Sequence, residues 1–129
     1  MKARQTGFTM IELIVVIVIL GILAATALPK FIDMRTEAAQ AALEGVAGAA
    51  TSAMNVNYAG CSLTNNKVTA NKCSQVVKCS EVSGLLQGGL PTGYSAEGSD
   101  SKTNGESFEC TIVNADGNKS RFVGIAAGN

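Results

Sequence analysis

Residues 7–29, GFTMIELIVVIVILGILAATALP, form a nearly unbroken apolar run. From Phe8 to Leu28 there are 21 positions, which make about 32 Å of helix at about 1.5 Å per residue, close to the thickness of a bilayer's hydrocarbon core. This run carries one charged residue, Glu12, near its beginning. Because a carboxylate inside hydrocarbon is costly, by at least about 2.5 kcal/mol, the sequence predicts that Glu12 has a partner.

The composition argues against an enzyme. The chain has 129 residues and no His, and Lys plus Arg equal Asp plus Glu at 10 each. His is the commonest metal ligand and a frequent general base, and the balanced charge gives no sign of nucleic-acid binding. The sequence contains no Ser/His/Asp or Cys/His pattern and no Gly-rich phosphate loop. We expect one small domain with no catalytic activity, no cofactor and no metal.

The cysteines indicate an oxidising compartment. Four cysteines follow the apolar run, Cys61, Cys73, Cys79 and Cys110. An even number in a small exported domain predicts two disulfides. A zinc site is the alternative, but the intervals of 11, 5 and 30 intervening residues fit zinc-binding spacings badly.

The first residues differ from an ordinary signal peptide. The leader MKARQTG contains Lys2 and Arg4, which should remain cytoplasmic by the positive-inside rule. The apolar run is too long for a signal peptide's hydrophobic region, and the small residue Gly7 precedes it. A cut after Gly7 would remove the leader and leave the apolar helix on the mature protein. An uncleaved anchor that holds a periplasmic domain is the alternative.

The segment from Gly7 to Glu12, GFTMIE, resembles the prepilin signature of type IV pilins and their secretion-system relatives. The resemblance implies cleavage between Gly7 and Phe8 by a membrane peptidase that also N-methylates Phe8. Pro29 falls at the family's usual twenty-second mature position. The resemblance is strongest over residues 7 to about 55 and weak beyond them.

Cleavage would supply a partner for Glu12. The new amine of Phe8 would lie one helical turn from the Glu12 carboxylate, at i, i+4, in a setting of low dielectric constant. The pair could form within one chain or between neighbours. The family resemblance implies pairing with an adjacent subunit, so that the charge sets the register of assembly. Snorkelling of Glu12 to the membrane surface is the alternative.

Two residues weaken the second half of the apolar run. Pro29 removes one backbone hydrogen bond and predicts a kink in a helix that continues past it. Gly21 destabilises the helix by about 1 kcal/mol relative to Ala. The segment between them is therefore expected to stretch most easily, and the resemblance suggests that it partly unwinds when subunits pack into a filament.

Residues 30–57 keep a helical period and are dominated in their second half by Ala and Gly. One apolar stripe contains Phe31, Met34, Ala38, Ala42, Val46, Ala49 and Ala53. A second stripe beside it contains Ile32, Ala39, Leu43, Ala50 and Met54. A single core face is possible, but so wide a surface favours a helix covered on one side by its own domain and on another by neighbouring helices. This region is similar to the mannose-sensitive haemagglutinin pilins.

The rest of the chain predicts a small head with an antiparallel hairpin. SFECTIV alternates, NADGN is a turn, and KSRFVGIAA returns as a partner strand, within a sheet of three or four strands. LPTGYSAEG is expected to be a turn. A short helix is expected from the pattern of Val76, Val77, Val82, Leu85 and Leu86. The leading core residues are expected to be Phe108, Ile112, Val113, Phe122, Val123 and Ile125.

Four cysteines allow three connectivities, of which we choose Cys61–Cys73 and Cys79–Cys110. The first closes a short polar loop after the long helix, and the second ties the short helix to the strand FECTIV. A small core needs such staples.

The residues around the turn NADGN could also begin a calcium loop. Asn114, Asp116 and Asn118 alternate oxygen ligands, as such a loop requires. The EF-hand spacing fails, because Gly117 stands fourth rather than sixth. A hairpin turn is therefore preferred.

Together these features predict an α+β chain with a type IV pilin fold, in which a long N-terminal helix packs on a small antiparallel sheet. The expected parts are a leader (1–7), a membrane and filament-core segment (8–29), an amphipathic segment (30–57) and a disulfide-stapled head (58–129).

The resemblance implies a subunit, most simply the major one, that polymerises with copies of itself. It would pass from the bacterial inner membrane, through the prepilin peptidase and the pilus assembly machinery, into an extracellular fibre for adhesion, twitching motility or DNA uptake. The alternatives are a pseudopilin of a type II secretion system and an uncleaved membrane-anchored binding domain.

Overall fold

The computed structural model describes residues 3–129, apart from the side chain of Ile32, so Lys2 of the predicted leader lies outside the described residues. The order of elements is helix α1 (Met10–Leu63), a 3₁₀ helix (Cys79–Gly84), and strands β1 (Ser95–Gly98), β2 (Ser107–Val113) and β3 (Lys119–Ile125). The chain divides into two compact units, one that ends at Ala38 and one from Ala39 to Asn129.

The first unit is helical from Met10 onward and includes Pro29 within the helix. The apolar side chains of this part are exposed, and Phe31 and Met34 of the first predicted stripe have exposed fractions of 68% and 59%. Because a helix satisfies its backbone hydrogen bonds internally, a single segment can lie in hydrocarbon as a helix. The expected membrane segment is therefore in the conformation that a bilayer requires.

In the second unit α1 packs on the sheet through one face. This core face contains Leu43, Ala47, Ala50 and Met54, all buried, at the 3- and 4-residue intervals of an amphipathic helix. Leu43, Ala50 and Met54 belong to the second predicted stripe, whereas Ala47 belongs to neither, and Val46 of the first stripe packs against the core. In the first stripe Ala42 and Ala49 are exposed, and Val46 and Ala53 are half-buried.

The larger of two core clusters among the described residues is shared by α1, the 3₁₀ helix and the sheet, and the smaller one contains Cys61, Cys73 and Ala127. The larger cluster consists of Leu43, Ala47, Ala50, Met54, Val76, Cys79, Val82, Phe108, Cys110, Ile112, Phe122 and Ala126. Burial of a Leu, Ile, Val or Phe side chain contributes about 1.5–3 kcal/mol. Few of these side chains are large, which gives the disulfides a correspondingly large share of the stability.

Helix α1 extends to Leu63, beyond the expected end of the amphipathic segment at residue 57 and into the polar stretch that begins at Ala59. It ends in a Schellman motif, in which the N–H of Asn66 donates to the carbonyl of Cys61 (2.7 Å) and that of Asn65 to the carbonyl of Ser62 (3.4 Å). Asn65 and Asn66 have φ values of 52° and 57°, in the left-handed region that Asn adopts more readily than most residues. The predicted end near residue 57 is wrong. The polar residues that follow it face solvent as part of the helix, while Cys61 in the same turns is buried.

The sheet has three antiparallel strands in the order β1-β2-β3. The predicted hairpin is confirmed, since β2 and β3 pair from Ser107↔Ile125 to Val113↔Lys119. Strand β1, which was expected to be a turn, pairs with β2 from Ser95↔Val113 to Gly98↔Cys110. The expected α+β architecture is confirmed.

Two of the six predicted core residues, Val113 and Val123, lie outside the core cluster, whereas Ile125 packs against it. Phe108, Ile112 and Phe122 are buried, but Val123 is 46% exposed, and Val113 and Ile125 are half-buried. Successive side chains in a strand point to opposite faces. Because Phe122 and Ile112 point into the core, their neighbours Val123 and Val113 face away from it.

Two disulfides staple the second unit. The structure joins Cys61 to Cys73, with Cα atoms 4.5 Å apart, and Cys79 to Cys110, with Cα atoms 5.6 Å apart. These are the pairs chosen from the sequence. The first holds a polar loop against the last turn of α1, and the second fixes the 3₁₀ helix to strand β2.

Candidate processing and assembly site

The beginning of α1 is built around a reciprocal contact between Thr9 and Glu12. The Oε2 atom of Glu12 accepts hydrogen bonds from the backbone N–H of Thr9 at 2.8 Å and from its hydroxyl at 3.1 Å. The hydroxyl oxygen of Thr9 in turn lies 3.3 Å from the backbone N–H of Glu12. This is a capping box, which satisfies N–H groups that the first turn of a helix leaves free.

Sequence reasoning missed this contact, although the signal was present. A Thr followed three residues later by Glu, directly before an apolar run, is the pattern of a capping box, and TMIE matches it. The predicted ion pair with the Phe8 amine needs a free amine. In the intact chain that nitrogen is part of the peptide bond to Gly7, so the pair stays a prediction for the processed chain.

The predicted cleavage point is open on all sides. Phe8 has an exposed fraction of 90%, and a Cβ atom built on Gly7 would meet nothing within 4 Å. Both residues precede the first residue of α1, Met10. A peptidase that needs an unobstructed substrate outside a helix would find one here.

The helix that follows is apolar on every side. Each Val, Leu, Ile, Met and Phe from Phe8 to Leu28 has an exposed fraction of at least 49%. Contiguous apolar surface of this extent marks a membrane or protein interaction site, and the helix contains a segment long and apolar enough to cross a bilayer. Gly21 and Pro29 lie within it, as the sequence indicated, and a Cβ atom on Gly21 would also meet nothing within 4 Å.

A second surface without cover lies on the part of α1 that carries the head. It faces away from the core face and is here named the open face. Its exposed residues are Ala42, Gly45, Ala49, Ser52, Val56, Ala59 and Leu63. They recur at alternating intervals of 3 and 4, the period at which two helices pack along a seam. Small residues let two helix backbones approach closely, and Val56 and Leu63, with exposed fractions of 72% and 86%, add apolar area.

The loop after α1 is held rigidly to the last turns of the helix. Asn57, which is buried, donates from Nδ2 to the carbonyl of Ser74 (2.8 Å) and accepts from its N–H through Oδ1 (2.9 Å). Gly60 lets the carbonyl of Lys72 approach so closely that a Cβ atom would lie 1.9 Å from its oxygen. Together with the Cys61–Cys73 disulfide, these contacts fix the edge of the head beside the open face.

Comparison with known proteins gives two kinds of match for this chain. Residues 2–28 match the family model of the prokaryotic N-terminal methylation motif. The chain is also 36% identical over 100 residues to the major component PilA5 of a type IV narrow pilus from Thermus thermophilus, a match that covers 78% of this chain and 76% of that protein. The chain belongs to the type IV pilin family.

Two further relatives of this pilin are similar over different lengths. The fimbrial protein EcpC of Eikenella corrodens is 32% identical over 115 residues, which cover 80% of this chain and 74% of that protein. The type IV major fimbrial protein FimA of Dichelobacter nodosus is 52% identical over 42 residues, or 31% and 26% of the two chains. No solved structure gives a significant match. None of the three relatives is named a mannose-sensitive haemagglutinin pilin, so that subgroup stays a prediction.

The loop of the pilin that resembled a calcium site is organised as a turn. The Oδ1 atom of Asn114 accepts hydrogen bonds from the N–H groups of Asp116 (3.1 Å) and Asn118 (2.9 Å). The N–H of Gly117 donates to the carbonyl of Asn114 at 3.0 Å. This Asn is therefore used to shape the connection between β2 and β3.

Proposed function

We propose that this pilin is the major subunit of a type IV pilus and polymerises with copies of itself into a surface fibre. The observation that carries the proposal is the apolar helix from Phe8 to Leu28, whose large side chains are all at least 49% exposed. Such a surface must be covered by lipid before assembly and by neighbouring helices in the fibre. The match to a major component of a type IV pilus supports the same function.

The processing site gives the order of events. The leader through Gly7 stays on the cytoplasmic side of the inner membrane, a prepilin peptidase cuts before Phe8, and the same enzyme methylates the new amine. Removal of Lys2 and Arg4 takes two positive charges from a chain with 10 basic and 10 acidic side chains. The mature N-terminus can then enter an apolar fibre core beside Glu12.

Glu12 and the open face have separate roles in the polymer. The Glu12 carboxylate meets the Phe8 amine of an adjacent subunit and sets the register, since a buried unpaired charge would be strongly unfavourable. The open face packs against a neighbouring helix, and the heads form the fibre surface. The fibre serves attachment, and a retractable fibre would also serve twitching motility or DNA uptake.

The test is to image cells that lack the chain and cells complemented with wild-type chain or with Gly7→Val. Gly7 has open space around it, so a bulky residue there should block cleavage without disturbing the fold. We expect long fibres with the wild-type chain and none with Gly7→Val, which should accumulate as membrane-bound precursor. The control places the same residue one position earlier: Thr6→Val leaves Gly7 intact and should be cleaved and assemble.

Other outcomes would identify the alternatives. Short assemblies that appear only on overexpression, together with lost secretion of an exported enzyme, would indicate a pseudopilin. Normal cell-surface properties with an uncut leader on the wild-type chain would indicate a membrane-anchored domain.

A further inference from the structure

A polar side chain other than Glu12 lies within the apolar run. From Met10 to Leu28 the polar residues are Glu12 and Thr26, and an ionised carboxylate is an acceptor alone. The Thr26 hydroxyl is therefore the one side-chain hydrogen-bond donor in that span. It donates back along its own helix, to the carbonyl of Leu23 at 3.0 Å and to that of Ile22 at 3.3 Å.

These two carbonyls belong to the weakest stretch of the helix. In an α-helix they also accept from the N–H groups of Thr26 and Ala27. Gly21 on one side destabilises the helix by about 1 kcal/mol relative to Ala, and Pro29 on the other supplies no N–H and costs about 3 kcal/mol. A Thr hydroxyl that bonds backward adds a further slight destabilisation and favours a bend.

Unwinding of this stretch in an apolar environment has a specific difficulty. Each carbonyl that loses its N–H partner in hydrocarbon is left unsatisfied, at a cost of several kcal/mol. Ser and Thr side chains are among the groups that satisfy such carbonyls in membrane helices. The Thr26 hydroxyl is already within hydrogen-bond distance of two of them.

We propose that Thr26 is a positioning residue for fibre assembly, whose hydroxyl keeps the carbonyls of Ile22 and Leu23 hydrogen-bonded while the stretch between Gly21 and Pro29 unwinds. The inference rests on the proposed function, because it assigns a role within assembly, and on the unwinding of this stretch that the family resemblance predicts. In this proposal the Thr26 hydroxyl lowers the barrier to opening of the helix, and the shape of the side chain does not.

Three variants of the full-length chain separate hydroxyl from shape. Thr26→Val keeps the shape and removes the donor, Thr26→Ser keeps the donor, and Thr26→Ala removes both. Amide hydrogen exchange is measured in lipid bilayers at positions 26 and 27, with the amides of Ile17 and Val18 as internal reference. Fibre yield is measured on cells that carry the same variants.

We expect Thr26→Val and Thr26→Ala to slow exchange at positions 26 and 27 by about 3- to 15-fold, the range that side-chain hydrogen bonds in membranes give. Their fibre yield should fall, while Thr26→Ser should match the wild type in both measurements. Equal exchange in all variants, or slowing by Thr26→Ser as well, would overturn the proposal. So would a normal fibre yield from Thr26→Val despite slowed exchange. If the wild-type chain made no fibres although its exchange depended on the hydroxyl, the proposed function would fail and the role of the hydroxyl in opening would stand.

Discussion

The carboxylate of Glu12 accepts a hydrogen bond from the backbone N–H of Thr9 at 2.8 Å. Both residues follow the predicted cleavage point, so this capping box persists in the mature chain. Glu12 thus has a partner within its own helix, independent of the proposed pairing with the amine of a neighbour. In the membrane-bound monomer Glu12 can cap the helix. In the proposed fibre its remaining lone pairs can bind the Phe8 amine of a neighbour.

Substitutions at position 12 can separate the cap from the charge. Glu12→Ala and Glu12→Val should leave a membrane-held monomer and few fibres, and Glu12→Asp should show a partial defect because its reach is shorter. Glu12→Gln can still accept from the Thr9 N–H but carries no charge, so it should assemble as poorly as Glu12→Ala. Thr9→Ala, which weakens the cap and keeps the charge, should assemble better than Glu12→Gln. The measurement is the amount of subunit in sheared fibres relative to that in membranes. Normal fibres from Glu12→Gln would show that assembly does not need the charge of Glu12.

Two glycines of α1 should respond oppositely to replacement by Ala. A Cβ atom on Gly60 would lie 1.9 Å from the Lys72 carbonyl oxygen, so Gly60→Ala must displace the disulfide loop and should lower the free energy of unfolding by roughly 1–3 kcal/mol. A Cβ atom on Gly45 would meet nothing within 4 Å. Gly45→Ala should therefore raise the stability by up to about 1 kcal/mol.

Gly45→Ala also tests the open face. The added methyl group should hold neighbouring helices apart and lower the fibre yield of a chain that is more stable as a monomer. Thermal unfolding of the full chain in detergent and fibre yield are compared for both variants. A Gly45→Ala chain with gains in both measurements would show that the open face makes no close helix contact.

The Asn57 amide is expected to be a major link between α1 and the loop after it. Asn57→Leu would remove two partly buried hydrogen bonds to the N–H and carbonyl of Ser74, and we expect a loss of about 0.5–1.5 kcal/mol for each bond removed. Asn55 is the matched control, since it is exposed and bonds within the helix to the carbonyl of Thr51. Asn55→Leu should change the unfolding free energy by less than about 0.5 kcal/mol, and an equal effect of the two changes would contradict the assigned role of Asn57.

The two disulfides should differ in their contribution to stability. Their sequence separations are 12 and 31 residues, for which the chain-entropy model gives about 3 and about 4 kcal/mol. The Cys79→Ser, Cys110→Ser pair should therefore be more destabilising and more sensitive to protease than the Cys61→Ser, Cys73→Ser pair. Non-reducing peptide mapping checks the connectivity itself, and a Cys61–Cys110 or Cys73–Cys110 peptide would contradict it.

The sequence was most informative where one physical requirement dominated. The length and hydropathy of residues 8–28 require a helix that can enter a membrane, and the alternation in SFECTIV and KSRFVGI sufficed to predict the hairpin. The cysteine pairs were also predicted, because one closes the polar loop after α1 and the other ties the short helix to the strand FECTIV.

Local capping and packing were harder to read. Strand β1, SAEG, carries no large apolar residue, and its strand conformation depends on hydrogen bonds to β2 that no local pattern announces. The end of α1 depends on Asn65 and Asn66 in the left-handed region, a signal that resembled an ordinary polar loop. The contact between Thr9 and Glu12 was not predicted, because the amine released by processing already offered Glu12 a partner.

The mass of the N-terminal peptide of this chain in fibres sheared from cells tests assembly and processing together. We expect the chain to be a principal component of those fibres and its first residue to be Phe8, with an N-methyl group and without Lys2 and Arg4. Fibres whose subunits retain the leader, or fibres that lack this chain altogether, would contradict that expectation.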